Sequence, residues 1–167
     1  MFVLVQLATD IFDKELNDLR KNRWNKAFSS KLLDAEHHGM RATIVIEHLI
    51  QASDVSHTMQ HWNVYRKWNE RLFLELYQSF KEGRMGANPA IFWYQGELNF
   101  FDNYIIPLTE KLKECKVFGV SSHEYLVYAE HNRAEWEARG QELLEKMIHK
   151  VEDQLVLRNS RPGLEDV

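Results

Sequence analysis

The chain has 167 residues, of which 44% are hydrophobic and 28% charged, an ordinary balance for one folded domain and not that of a disordered chain. Its net charge of −4 argues against broad binding to nucleic acid or to an anionic membrane surface. One cysteine, Cys115, excludes an internal disulfide and a multi-cysteine zinc site and suits a reducing compartment. No apolar run reaches the roughly 20 residues needed to span a bilayer, and the apolar start Met1 to Leu7 lacks the basic lead-in of a signal peptide.

Few prolines and glycines, together with long stretches of helical periodicity, predict an all-α domain. Phe2 to Leu19 reads as a helix with Leu4, Leu7, Ile11, Leu16 and Leu19 on one side and Asp10 in its middle. It has no N-cap or polar lead-in, which suggests a chain cut inside a larger domain. Arg20 to Arg41 reads as a partly helical connector, with Trp24 and Phe28 at i, i+4 stapling it to the body. His37 and His38 beside Glu36 suggest a metal cluster only weakly, because adjacent helical residues face different ways. Met40 to Ala52 should be a buried helix carrying Ile44, Ile46, Leu49 and Ile50.

Asp54, His57 and His61 are spaced i, i+3, i+7, and a continuous helix would stack them as a self-contained Zn²⁺ or Mn²⁺ site, although such spacing is common by chance. His57 to Glu82 should be one long helix, with Tyr65, Trp68, Asn69 and Leu72 on one face and Arg66 paired with Glu70. Aromatics at this spacing more often fill a core than line a site, but beside the hard oxygen of Asp54 they also fit a pocket for a planar, phosphate-bearing ligand. A loop follows, from Lys81 to Pro89. Ala90 to Lys116 reads as the next helix, with Glu97, Phe100, Tyr104 and Leu108 on one face. An acid on an aromatic face either sits at the rim or meets a donor, since an unpaired buried charge is costly. After a turn at 117–122, with Ser121 or Ser122 as cap, Tyr125 to Leu157 is long and amphipathic and nearly heptad in its second half. Residues 158–167 read as a polar, mobile tail.

Several of these segments resemble the catalytic domain of the class I cyclic nucleotide phosphodiesterases. Ala52-Ser53-Asp54-Val55-Ser56 followed by Tyr65-Arg66-Lys67-Trp68-Asn69-Glu70-Arg71-Leu72 is similar to the family's Ala-Asp-(Leu/Val)-Ser and Tyr-Arg-x-Trp-x-x-Arg segments, at the matching interval. Ala8-Thr9-Asp10, Phe100-Phe101-Asp102 through Pro107-Leu108, and Asn132-Arg133-Ala134-Glu135-Trp136 resemble three more, in order. The wording around Phe100 is closest to protist versions of the domain.

The resemblance implies a compact helical fold, residues 1–157 forming its C-terminal part, and hydrolysis of cAMP or cGMP to the 5′-monophosphate in cyclic-nucleotide signalling. It implies two divalent ions, one zinc-like and one magnesium- or manganese-like, that hold a bridging hydroxide. Carried over by position, Asp54 is a metal ligand; Tyr65, Trp68, Asn69 and Leu72 line the base pocket; and Phe100 is one jaw of a clamp on the purine, with its ring on the same concavity as Trp68 and Leu72. Asp10 and Ile11 lie nearby. The chain departs from the family in carrying Glu97 where many members have a base-reading glutamine, Asn99 for the glycine before Phe100, and His57 where some members have asparagine. A carboxylate accepts but cannot donate, so Glu97 favours guanine, with two adjacent donors, over adenine with one, and hence cGMP.

The family's His-Asn-x-x-His and His-Asp segments, which supply the general acid and most metal ligands, find no counterpart before Asp10, so the chain by itself is expected to be inactive. A cytoplasmic location is expected, whether free or as the cytosolic part of a membrane-attached protein. Association or homodimerisation through exposed helices is also expected. The alternative is a non-catalytic helical module that binds a nucleotide or a partner. A His-Asp motif encoded immediately upstream would decide for the enzyme.

Overall fold

The structure is a computed structural model that describes residues 14–29, 35–116 and 118–159. Asp10, Ile11, the greater part of the helix expected from Phe2, the side chains of His37 and His38, and residues 160–167 of the tail lie outside it. Among the described residues the regular structure is helical, as the periodicity predicts: α1 (Lys14–Ser29), α2 (Ala35–Asp54), α3 (Trp62–Lys81), α4 (Trp93–Phe100), α5 (Ile106–Cys115) and α6 (Glu124–Asn159).

The long helix α6 is the spine, running against α3, α4 and α5, while α2 packs between α5 and α1. The main core lies under α6 and is aromatic: Tyr65, Phe73, Trp93, Phe101 and Trp136 are buried together with Ile105, Leu112 and Met147. Trp136 is wholly buried; its indole N–H donates to the Tyr94 carbonyl at 3.1 Å, and its ring meets Tyr65 edge-on at 6.2 Å. Gly140 permits this close approach, because a Cβ there would stand 2.8 Å from the Trp136 ring and 3.0 Å from that of Tyr94. A smaller cluster of Trp24, Ala27 and Ile44 joins α1 to α2. The Trp24–Phe28 staple is present, with the rings stacked at 4.2 Å.

Four expectations about the helices need correction. The helix ending at Asp54 does not continue: Val55 leaves helical geometry, a 3₁₀ turn covers Ser56–Met59, and α3 starts only at Trp62 with His61 as its N-cap. The break is held by side chains that capture carbonyls. The Thr58 hydroxyl donates to Val55 O at 2.7 Å, and the buried Asn132 amide on α6 donates to Thr58 O at 2.9 Å and to Gln60 O at 2.7 Å.

The helix expected over Ala90 to Lys116 is interrupted twice. A 3₁₀ turn at Pro89–Ile91, capped by the Asn88 side chain, precedes α4, and a π-turn at Phe101–Ile105 separates α4 from α5. Pro107 explains the second interruption. It has no N–H for the carbonyl four residues back, and its ring crowds that carbonyl, so the turn widens and Ile106 N–H bonds Phe101 O instead. Finally, Ile46 is 56% exposed where a buried position was expected, and Glu70 pairs with Lys150 of α6, not with Arg66.

Candidate functional site

The Tyr65–Leu72 face of α3 divides in two. Tyr65 and Asn69 point into the core, whereas Trp68 is 50% and Leu72 49% exposed. One turn of helix separates Tyr65 from Asn69, so both meet the same stretch of α4. The Tyr65 hydroxyl donates to Glu97 Oε2 at 2.7 Å. The Asn69 amide nitrogen donates to the Tyr65 oxygen at 3.4 Å, and Trp93 Nε1 donates to Asn69 Oδ1 at 3.3 Å. The acid on the aromatic face has therefore met protein donors while keeping part of its surface open.

Burial raises the Glu97 pKa, and the hydrogen bonds from Tyr65 and Asn69 oppose that shift. Burial likewise pushes Tyr65 well above its ordinary value, reinforced by the neighbouring carboxylate. The phenol therefore stays protonated and keeps donating.

Phe100 lies one turn after Glu97 on α4, on the same side of the helix. Its ring stacks on Tyr104 at 5.5 Å and 15°. Burial and the charge of Asp54 raise the Tyr104 hydroxyl to about 12, opposed by Arg20. Phe100 and Tyr104 line an open cleft of about 770 Å³ together with Trp24 and Arg20 of α1 and His48 and Gln51 of α2. Trp68 instead lies against His57, ring centres 6.2 Å apart, with the Arg71 guanidinium over its face at 5.4 Å. Burial holds His57 below its usual pKa.

The break after Asp54 dismantles the private metal site. Asp54 closes α2 and is exposed, His57 sits on the 3₁₀ turn against Trp68, and His61 Nδ1 accepts from Asn63 N–H at 3.2 Å as the N-cap of α3. Among the described residues no group of three or more His, Cys, Asp or Glu is placed to hold a metal ion. Asp54 can offer one hard oxygen, which alone leaves a divalent ion mostly hydrated. The described residues therefore do not fit a two-metal centre by themselves.

Two contributors had no assigned role at the level of sequence. Trp93 precedes Glu97 by one turn and supplies the donor that orients Asn69; its signal is an indole on the inner face of α4. His48 is buried against the Trp24 ring at 4.7 Å, and its position four residues after Ile44, to whose carbonyl its Nδ1 bonds at 2.7 Å, is the corresponding signal. The Asn132–Trp136 segment, in contrast, braces the structure: Asn132 holds the 3₁₀ turn, Arg133 pairs with Asp102, and Trp136 fills the core.

No curated protein and no solved structure matches the chain. One family model, that of the 3′5′-cyclic nucleotide phosphodiesterases, matches residues 4–119, which span Asp54, the Tyr65–Leu72 segment, Glu97 and Phe100. That match covers well over half of the chain and includes the elements that build the network around Glu97, and on it the chain belongs to the 3′5′-cyclic nucleotide phosphodiesterase family.

Proposed function

We propose that this chain supplies the base-facing side of a site that hydrolyses 3′,5′-cyclic nucleotides, and that residues 1–157 are the C-terminal part of such a catalytic domain. The observation that carries this reading is the hydrogen-bonded set of Tyr65, Asn69 and Glu97, drawn from two separated segments, with the Phe100 ring one turn along the same helix. Polar groups that fix an edge beside an aromatic face are what a purine requires. In this reading Phe100 forms one wall, Trp68 and Leu72 another, Glu97 faces the base edge, and His57, Asp10 and Ile11 stand near the pocket mouth. Asp54 offers its carboxylate to one of two divalent ions, zinc-like and magnesium- or manganese-like. Those ions would neutralise phosphate charge and lower the pKa of a bound water.

The chain's own groups then have defined tasks. The aromatic walls orient the purine and exclude water from its faces. Tyr65 and Asn69 hold Glu97 still. The test is hydrolysis of cAMP and cGMP by the complete gene product and by its Asp54→Ala and Phe100→Ala variants. Loss of turnover with Asp54→Ala, and a raised KM with Phe100→Ala, are expected. Unchanged kinetics in both would overturn the assignment.

A further inference from the structure

The cleft of about 770 Å³ lies where α1 and α5 face each other, with α2 packed between them. On α1 its wall is Asn17, Arg20, Lys21 and Trp24, spaced i, i+3, i+4 and i+7, so one stripe of the helix looks inward. Such a stripe is ordinarily apolar. Here Arg20 and Lys21 are cationic, and the Asn17 side-chain oxygen accepts from the Arg20 guanidinium at 2.9 Å, which helps to hold it in place. From α5 the Lys111 ammonium reaches over the Trp24 ring, 5.4 Å from its centre.

The three cations feel one another. Lys111 is half-buried, and its pKa is lowered by burial first and then by Lys21, with Arg20 adding to the fall and Glu114 opposing it. Burial lowers the pKa of His48 in the same wall, and Lys111 and Arg20 add to that fall as well. The acids that line the cleft, Glu110 and Glu114, are both exposed. Phe100 and Tyr104, stacked at 5.5 Å, give the cleft a second aromatic surface besides Trp24.

We propose that this cleft binds a small planar anion, an aromatic ring bearing a phosphate or a carboxylate, with its oxygens among Arg20, Lys21 and Lys111 and its ring against Trp24 and the Phe100–Tyr104 stack. The volume is that of a small-molecule pocket. An anion among three like charges relieves their mutual repulsion, and a guanidinium beside an ammonium grips carboxylate or phosphate oxygens through charged hydrogen bonds. An inorganic ion alone would leave the aromatic surfaces wet, and a neutral ring would leave the cations without a counter-charge. Of the residues given above to the cyclic nucleotide only Phe100 lines the cleft; Asp54, Trp68, Leu72 and Glu97 do not. The site is therefore an additional one.

The test uses the ¹⁵N-labelled 167-residue chain. Phenyl phosphate, inorganic phosphate and benzyl alcohol are titrated separately while the indole N–H signals of Trp24 and Trp68 are followed. Phenyl phosphate should move Trp24 saturably and bind more tightly than the other two. Lys111→Gln should weaken it about tenfold, the size of one charged hydrogen bond, and Lys111→Arg should recover most of that loss. Lys21→Gln, at an exposed position, should cost less, and it decides the matter should Lys111→Gln fail to fold. No saturable shift at Trp24, or a shift at Trp68 alone, overturns the proposal. So does benzyl alcohol or inorganic phosphate binding as tightly as phenyl phosphate, since either removes half of the recognition. Binding that both lysine-to-glutamine variants leave unchanged overturns it too.

Discussion

The two sides of the candidate site are built by different means. On the Glu97 side, polar groups from α3 and α4 are interlocked inside an aromatic core and satisfy one another. On the Asp54 side, the acid is exposed at the end of a helix, next to a broken turn. Recognition of a base edge needs direction, which buried hydrogen bonds give. Binding of a hydrated divalent ion needs several anionic ligands at once, which one surface carboxylate does not give. The Glu97 side is therefore preorganised within the described chain, whereas Asp54 on its own offers too few ligands to hold a divalent ion, and on the proposed reading it needs others.

The largest effect expected from this difference concerns turnover. Residues 1–167, purified and supplied separately with Mg²⁺, Mn²⁺ or Zn²⁺, should hydrolyse neither cAMP nor cGMP above background. Loss of general acid catalysis alone costs about 10² to 10⁴ in rate, and an incomplete metal site costs further. Metal-dependent turnover that vanishes with Asp54→Ala would show the Asp54 side to be complete after all.

Next in size is the packing on which the Glu97 side rests. Trp136→Ala should remove about 3–5 kcal/mol of stability, since a wholly buried indole leaves a large cavity and its bond to the Tyr94 carbonyl is lost. Gly140→Ala should cost about 1–3 kcal/mol by forcing a methyl group against the Trp136 and Tyr94 rings. Urea titration reads both. A loss of less than about 1 kcal/mol in Trp136→Ala would mean that the core tolerates large rearrangement and that the network around Tyr65 is held otherwise.

How much of this was legible follows the same division. Helical spacing brings Tyr65 to Asn69 and Glu97 to Phe100, because one turn is a fixed distance along the chain. The bond between Tyr65 and Glu97 joins positions 32 apart, and no local period encodes it. The helix breaks were missed for a related reason. Val55 to Met59 contains no glycine or proline, and the turn is held by Asn132 on a distant helix. Pro107 did carry a local signal for the π-turn, because a proline inside a helical stretch removes a donor and crowds the preceding turn, but reading Ala90 to Lys116 as one helix passed over it. The metal alignment of Asp54, His57 and His61 failed because periodicity supposes the continuity that this tertiary bond removes.

The α1–α2 layer beside the cleft can be separated from the main core by pH. His48 is buried, and desolvation lowers its pKa from 6.5 to about 4, assisted by Lys111 and Arg20 and opposed by Glu47 and by its bond to Ile44 O. Above pH 6.5 the ring is neutral folded or unfolded and contributes no pH dependence. Between about 6.5 and about 4 the unfolded chain takes up the proton and the folded one does not, so stability falls as pH falls, by about 3 kcal/mol in all, and then levels. His57, also held low by burial, adds a share in the same direction. Denaturation midpoints from pH 7.5 to 3.5 in wild type and His48→Gln should differ in slope over this window. Parallel curves would place His48 in contact with water.

The smallest effect is expected where the drawing looks strongest. The Arg133 guanidinium grips Asp102 through two hydrogen bonds, at 2.8 and 3.1 Å, and also pairs with Glu137. The pairing lowers the Asp102 pKa, chiefly through the hydrogen bond from Arg133. Its stabilisation is thus full above the ordinary carboxylate range and is lost as pH falls through the depressed value. Yet the Asp102 side chain is 44% exposed and that of Arg133 26%, so water and salt screen the attraction. Asp102→Asn should therefore cost no more than about 1 kcal/mol, and less in high salt. This pair bridges the π-turn to α6 at the rim and takes no part in the donor chain that ends on Glu97. The variant should accordingly leave the Glu97 titration where it was. A shift of Glu97 in Asp102→Asn would mean that the π-turn governs how α4 presents its acid, and that the Glu97 side is less self-contained than its buried hydrogen bonds suggest.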